Sequence, residues 1–210
     1  MACFQLAQGI RIPNLDGIHE CYEVRERIHP SDGQPFYSFA INIGVDKLRP
    51  LLESFCEGLD EPVFFLCEMP ASRQEETELR RSEKDPFHRN VYYNDGCSVD
   101  ELLGLLELYG EWFIQDGMSC FGFASHSSKD EIYVGKYKVT NLFTRDLERY
   151  KALLNCFHIP QEEQIKTVWA NFLHDAPGEC SLVTLQGRTV YDIVEEMLEG
   201  GLYLAERREE

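Results

Sequence analysis

Short apolar runs of strand character recur along this chain between segments of helical spacing, and the two kinds follow one another without regular alternation. CYEVRERI (21–28) alternates as an exposed strand does, and FYSFAINI (36–43) reads as a more buried one. PVFFLCEM (62–69), NVYY (90–93), SCFGFAS (119–125), EIYVGKYKVTNLF (131–143) and GLYLAER (201–207) add further strands. A parallel sheet would need strand and helix to alternate. The pattern therefore predicts an α+β fold, with a mixed or antiparallel sheet packed against several helices.

The helices carry their own punctuation. Asp46 is expected to cap LRPLLESFC, with Pro50 tolerated in its first turn and Gly58 closing it. Ser98 with Glu101 forms a capping box, in which hydroxyl and carboxylate each satisfy an unpaired backbone N–H. From there Val99, Leu102, Leu103, Leu106, Tyr109 and Phe113 keep three-and-four spacing, and Gly117 is expected to end the helix in a left-handed conformation. RDLERYKALLNCF (145–157) and QEEQIKTVWANFL (161–173) read as two helices divided at Pro160. After SLVTLQG (181–187), a helix capped by Thr189 is expected to stop at Gly200-Gly201. HSSKD (126–130) has the composition of a hairpin turn.

Of 210 residues, 43% are hydrophobic and 27% charged, which is ordinary globular usage and predicts a single compact unit over 1–210. The one candidate break is the polar segment 70–88, a loop or a short solvated helix. The start lacks a basic region followed by an apolar run, and stretches such as Val63 to Cys67 are too short to span a bilayer, so a cytoplasmic protein is expected. The eight cysteines (Cys3, Cys21, Cys56, Cys67, Cys97, Cys120, Cys156 and Cys180) form no close pair; reduced, buried thiols are expected. The six histidines never fall at metal-ligand spacing and no glycine loop cradles a phosphate, so neither metal nor cofactor is expected.

Net charge is −17, which repels nucleic acid and anionic membranes and points to a basic partner. The acidity is regional. Residues 91–135 hold eight acids against one base, whereas 136–160 hold two acids against five bases. On the helix from Val99, Asp100, Glu107 and Glu111 share one stripe opposite the leucines, with Asp116 at its end. On the helix from Val190, Asp192, Glu195, Glu196 and Glu199 line the outer side. Like charges at these spacings cost about 0.2–0.5 kcal/mol each, and neither helix holds a Lys or Arg to relieve them. The stripes are either a solvated face or an electrostatic dock, with Trp112 or Tyr109 as its aromatic anchor.

Among groups that could carry chemistry, Cys120, His126 and Asp130 are the least remote set for a hydrolase or transferase. A nucleophile needs a base within hydrogen-bond reach, and no GxSxG elbow accompanies them. The aromatics Phe121, Phe123, Tyr133, Tyr137 and Phe143 lie in strand-like runs, where core packing explains them. No heptad or solenoid period suggests a scaffold, and a general protein-interaction domain is the remaining alternative.

The run YGEWFIQDGMSCFGFASHSSKDEIYVGKYKVTNLF, followed by TVWANFL and GRTVYDIVEEML, resembles the bacterial immunity proteins encoded with polymorphic or contact-dependent growth-inhibition toxins, over residues 91–206. The resemblance implies a cytoplasmic, non-enzymatic protein that binds a toxin domain and blocks its active site or substrate-binding surface. Many such toxins are basic nucleases, which suits the charge. No site residue is carried over from it.

Overall fold

A computed structural model describes residues 4–28 and 32–210; Cys3 and His29 lie outside them. Ten strands and five helices are formed among the described residues: β1 (Ile10–Arg11), β2 (Cys21–Ile28), β3 (Pro35–Asn42), α1 (Val45–Cys56), β4 (Val63–Pro70), α2 (Arg73–Leu79), β5 (His88–Cys97), α3 (Val99–Gln115), β6 (Cys120–Ser125), β7 (Glu131–Val134), β8 (Thr140–Thr144), α4 (Leu147–Cys156), β9 (Glu179–Cys180), α5 (Val190–Glu199) and β10 (Tyr203–Glu209). The predicted α+β class is what forms. Eight strands make one sheet in the order β10-β5-β4-β6-β7-β8-β3-β2, antiparallel throughout, and β1 pairs β9 separately.

Register explains the core. Phe65 faces Phe123, which faces Ile132, which faces Leu142, which faces Phe39, so one row of apolar side chains crosses five strands. All five are fully buried. Helices cover this row: Phe113 of α3 meets Phe65 edge-on at 5.4 Å, and Phe55 of α1 meets Tyr150 of α4 at 5.5 Å. Phe121 and Phe123 belong to this core as expected, whereas Phe64 points to the other side of the sheet and stacks on His126 at 4.6 Å.

Several local expectations change. EIYVGKYKVTNLF forms two strands, because the chain reverses at Gly135–Val139 with Tyr137 and Lys138 both at φ 57°. α1 begins at Val45 with Gly44 as its cap, which puts Asp46 inside the first turn. α3 ends at Asp116 in extended geometry, and Gly117 is not left-handed. Gly117 is needed for close approach: a Cβ there would overlap the Gly9 carbonyl, where Gly117 donates to Ser181 and Ser181 to Gly9. Gly201, at φ 108°, does end α5 as expected. Residues 161–173 are not helical apart from one 3-10 turn, Val168–Asn171. They cross the edge strand instead, since Tyr22 donates to Pro160 and Glu162 donates to Tyr22, covering backbone that an edge leaves unpaired. Segment 70–88 joins two strands that pair directly, and it contains α2, capped by Ser72 and Glu75. Cys156 is exposed, against expectation; Cys21, Cys56, Cys67, Cys97 and Cys120 are buried. No described helix is long and apolar enough to cross a membrane.

Candidate functional site

The capping boxes fix where the acidic helices start, and so which side chains leave the core. On α3, Leu102, Leu106 and Phe113 are buried and Asp100, Glu107 and Glu111 are exposed. On α5, Val190, Ile193, Val194 and Met197 are buried and Asp192, Glu195, Glu196 and Glu199 are exposed. The two helices are neighbours. Tyr109 donates to the Glu196 carboxylate at 2.8 Å, and Trp112 Nε1 donates to the Arg188 carbonyl at 3.3 Å. Tyr109 and Trp112 mark the flank of α3 that meets α5, while Asp100, Glu107 and Glu111 line its other flank. Between the flanks stands Leu108, 64% exposed.

Four expected members of the partner-binding set are engaged internally. Asp116 is 1% exposed and accepts from the backbone N–H of Met118, Ser119 and Val183. It closes the end of α3 onto the following segments, which removes it from any surface. Trp112 is half-buried with the Arg188 guanidinium 5.8 Å from its ring, so it braces α3 against α5 instead of standing free as an anchor. Glu196 pairs with Arg188, a residue just outside the helix; the Tyr109 hydroxyl and then Arg188 hold its carboxyl below the usual range. Asp192 is exposed but closes the Thr189 box, accepting from the Thr189 N–H and hydroxyl at 2.6 and 2.7 Å. Asp100, Glu107, Glu111, Glu195 and Glu199 are the exposed carboxylates of the set with neither ion pair nor hydrogen bond among the described residues.

Cys120, His126 and Asp130 do not converge. Cys120 starts β6 and His126 follows its end, roughly 20 Å along an extended strand. His126 is exposed on Phe64, near Asp95 at 3.9 Å. Asp130 is 3% exposed, accepts from the Thr144 hydroxyl at 2.5 Å and faces Arg149 at 3.7 Å. Burial pushes the Cys120 thiol up in pKa despite Arg89 and Lys138 beside it, the opposite of an activated nucleophile. The 126–130 turn is held by Ser125, whose hydroxyl accepts from the N–H of Ser127 and Ser128.

A cleft of about 950 Å³ opens elsewhere, between α2 with its following loop and the Lys136–Tyr137 reversal. Its cations are Arg73, Arg80, Arg81, Arg89 and Lys136, against Glu76, Glu83 and Glu210, so this wall is basic in an acidic protein. Glu210 pairs with Lys136 and lies 3.7 Å from Arg89, and Glu76 pairs with His88. Arg73 and Arg81 have no ion pair among the described residues. Phe87 (57% exposed) and Trp169 (46%) supply exposed rings, and Tyr137 meets Trp169 edge-on at 4.6 Å. Two adjacent left-handed residues that are not glycine, Tyr137 and Lys138, are backbone strain of the kind that collects at functional positions. Segment 70–88 carries nearly balanced charge in sequence; in the fold Glu75 is engaged by Asn90 and Arg207 and Glu76 by His88, while Arg73 and Arg81 have no ion pair among the described residues.

One set of potential metal ligands also forms, His19 with Cys21 and Glu162, which sequence spacing did not reveal because Glu162 comes from the segment crossing β2. Compared with known proteins, the chain matches no family model, no curated protein and no solved structure.

Proposed function

We propose that this protein works by binding a basic protein through the α3–α5 layer, and that the partner is a toxin domain which it neutralises. The observation that carries the reading is the set of five exposed carboxylates with neither salt bridge nor hydrogen bond among the described residues, Asp100, Glu107, Glu111, Glu195 and Glu199, on two neighbouring helices, with Leu108 also exposed on α3. Their mutual repulsion is unrelieved in the free protein, so a cationic surface gains by meeting them. Charge sets the encounter rate, and burial of Leu108 with the helix faces beside it supplies apolar area. Toxin neutralisation rests on the sequence resemblance and on the charge.

The test is the association rate with a basic toxin domain from the same cell. Raising salt from about 0.05 to 0.5 M should slow it by about tenfold or more, as should Glu107→Lys, Glu111→Lys, Glu195→Lys and Glu199→Lys combined. Equal rates across salt and across the variant would refute the dock.

The basic cleft favours a second reading, a small anionic ligand with a planar ring held by Arg73 and Arg81 against Phe87 and Trp169. Titration with a nucleoside triphosphate should then quench tryptophan fluorescence in the wild type and not in Trp169→Phe. No saturable quenching by nucleotides or aromatic carboxylates would end that reading.

A further inference from the structure

His19 and Cys21 stand two residues apart across a bend at Glu20, where the chain enters β2. The crossing segment runs beside them, held by two backbone hydrogen bonds: Tyr22 N–H to Pro160 O at 3.0 Å and Glu162 N–H to Tyr22 O at 2.8 Å. Those bonds set the register in which Glu162 meets the pair. Its carboxylate lies 2.7 Å from His19 Nε2, and the imidazole nitrogen, the Cys21 sulfur and a Glu162 oxygen all lie within 4.8 Å of one another. In a tetrahedral zinc site with bonds of about 2.0–2.3 Å, neighbouring donors are roughly 3.3–3.8 Å apart. The donors need to shift by roughly 1 Å to reach that geometry.

The surroundings fit as well. The Gly17 carbonyl adjoins the imidazole and adds to what raises its pKa, on the side where a second contact would orient a ligating ring. The Asn42 amide, anchored on the Lys166 carbonyl at 2.8 Å, points its nitrogen at the Cys21 sulfur from 4.0 Å. An N–H donor there favours thiolate. Cys21 is 1% exposed, whereas the His19 and Glu162 side chains are 56% and 36% exposed, which leaves a coordination position facing solvent.

We propose that His19 Nε2, Cys21 Sγ and the Glu162 carboxylate form a three-ligand zinc site with one open position, which ties the segment crossing β2 to the sheet edge. A nitrogen, a sulfur and an oxygen donor suit Zn²⁺ and exclude Mg²⁺ and Ca²⁺, which take oxygen. Free of metal, Cys21 and His19 hold their protons more tightly than usual: burial and then Glu162 push the Cys21 thiol up to about 11, and the hydrogen bond to Glu162 raises His19. Metal binding therefore displaces protons and weakens as pH falls.

The full-length, reduced and chelator-stripped protein is titrated with Co²⁺ alone. One equivalent should give a thiolate-to-cobalt charge-transfer band and visible bands of tetrahedral intensity, and Zn²⁺ should displace both. Cys21→Ser should abolish the charge-transfer band, while His19→Ala and Glu162→Gln, at more open positions, should each weaken binding by about tenfold or more. A wild-type protein without the thiolate band overturns the site. So does a band that persists at full strength in Cys21→Ser, since another cysteine would then be the ligand, or a cobalt affinity unchanged in both His19→Ala and Glu162→Gln.

Discussion

Gly117 reads in sequence as the residue that stops α3, and the structure gives it a different task, set by two partners remote in the chain. The Gly9 carbonyl and the Ser181 N–H pass so close that a Cβ cannot be accommodated. Gly117→Ala should therefore lower stability by about 1–3 kcal/mol in urea unfolding, and an unchanged midpoint would contradict the close approach. Lys138 was equally hidden, since nothing in VGKYKV distinguishes a lysine that will be 5% exposed. Its ammonium donates to the Phe113 and Ser119 carbonyls at 2.7 and 3.0 Å, yet burial outweighs the nearby Cys120 and Asp116 and lowers its pKa from 10.5 to about 8. Between those values the unfolded chain binds this proton more than the folded one does, so the cost of burying the charge is full below about pH 8 and fades as pH rises toward 10.5. The stability of the wild type minus that of Lys138→Met should climb from pH 8 to 10, by at most about 1.4 kcal/mol per unit. A flat difference would mean that the lysine titrates alike in both states.

At the scale of elements, local signals were legible wherever a side chain satisfies backbone a few residues away. The boxes at Ser98 and Thr189 start α3 and α5 as the sequence indicates, and Ser72-x-x-Glu75 starts α2 in the same way. Ser98→Ala should cost about 1 kcal/mol. The N–H and hydroxyl of Ser98 hold the Glu101 carboxyl below its ordinary value, so that support is present above about pH 4.5 and lost as pH falls further. Gly104, mid-helix with open space where a Cβ would stand, offers the converse: Gly104→Ala should stabilise α3 by about 0.5–1 kcal/mol, and a loss would show that the surface there is not free. Residues 161–173 show where local reading ends. Their composition permits a helix, but backbone hydrogen bonds to Tyr22 hold Pro160 and Glu162 at the strand edge, and that pairing spans most of the chain. The cleft and the His19–Cys21–Glu162 trio were illegible for the same reason, being assembled by such crossings, whereas the acidic stripes needed only helical period.

For the whole molecule, strand composition was readable and strand order was not, because β3 finds β8 and β10 finds β5 across long stretches of chain whose closure leaves no local mark. Net charge needs no fold to be known, but its consequence does. Many of the basic residues are already in ion pairs, such as Arg188 with Glu196, Lys47 with Glu20 and Arg207 with Glu75, while Asp100, Glu107, Glu111, Glu195 and Glu199 repel without relief. Added salt weakens both effects. Exposed pairs are worth only about 0–1 kcal/mol each, and a net charge of −17 destabilises the compact state through self-repulsion, so repulsion should dominate. The thermal midpoint should therefore rise by about 2–4 °C, corresponding to about 1 kcal/mol in a chain of this size, as NaCl goes from about 0.01 to 0.2 M. Neutralising Glu107→Gln, Glu111→Gln, Glu195→Gln and Glu199→Gln together should raise the midpoint at low salt and flatten its salt dependence, which separates surface repulsion from a general effect of salt on apolar burial. A midpoint that falls with NaCl, or a salt response unchanged in the variant, would place the dominant electrostatics in the ion pairs and leave the helix faces as ordinary solvated surface.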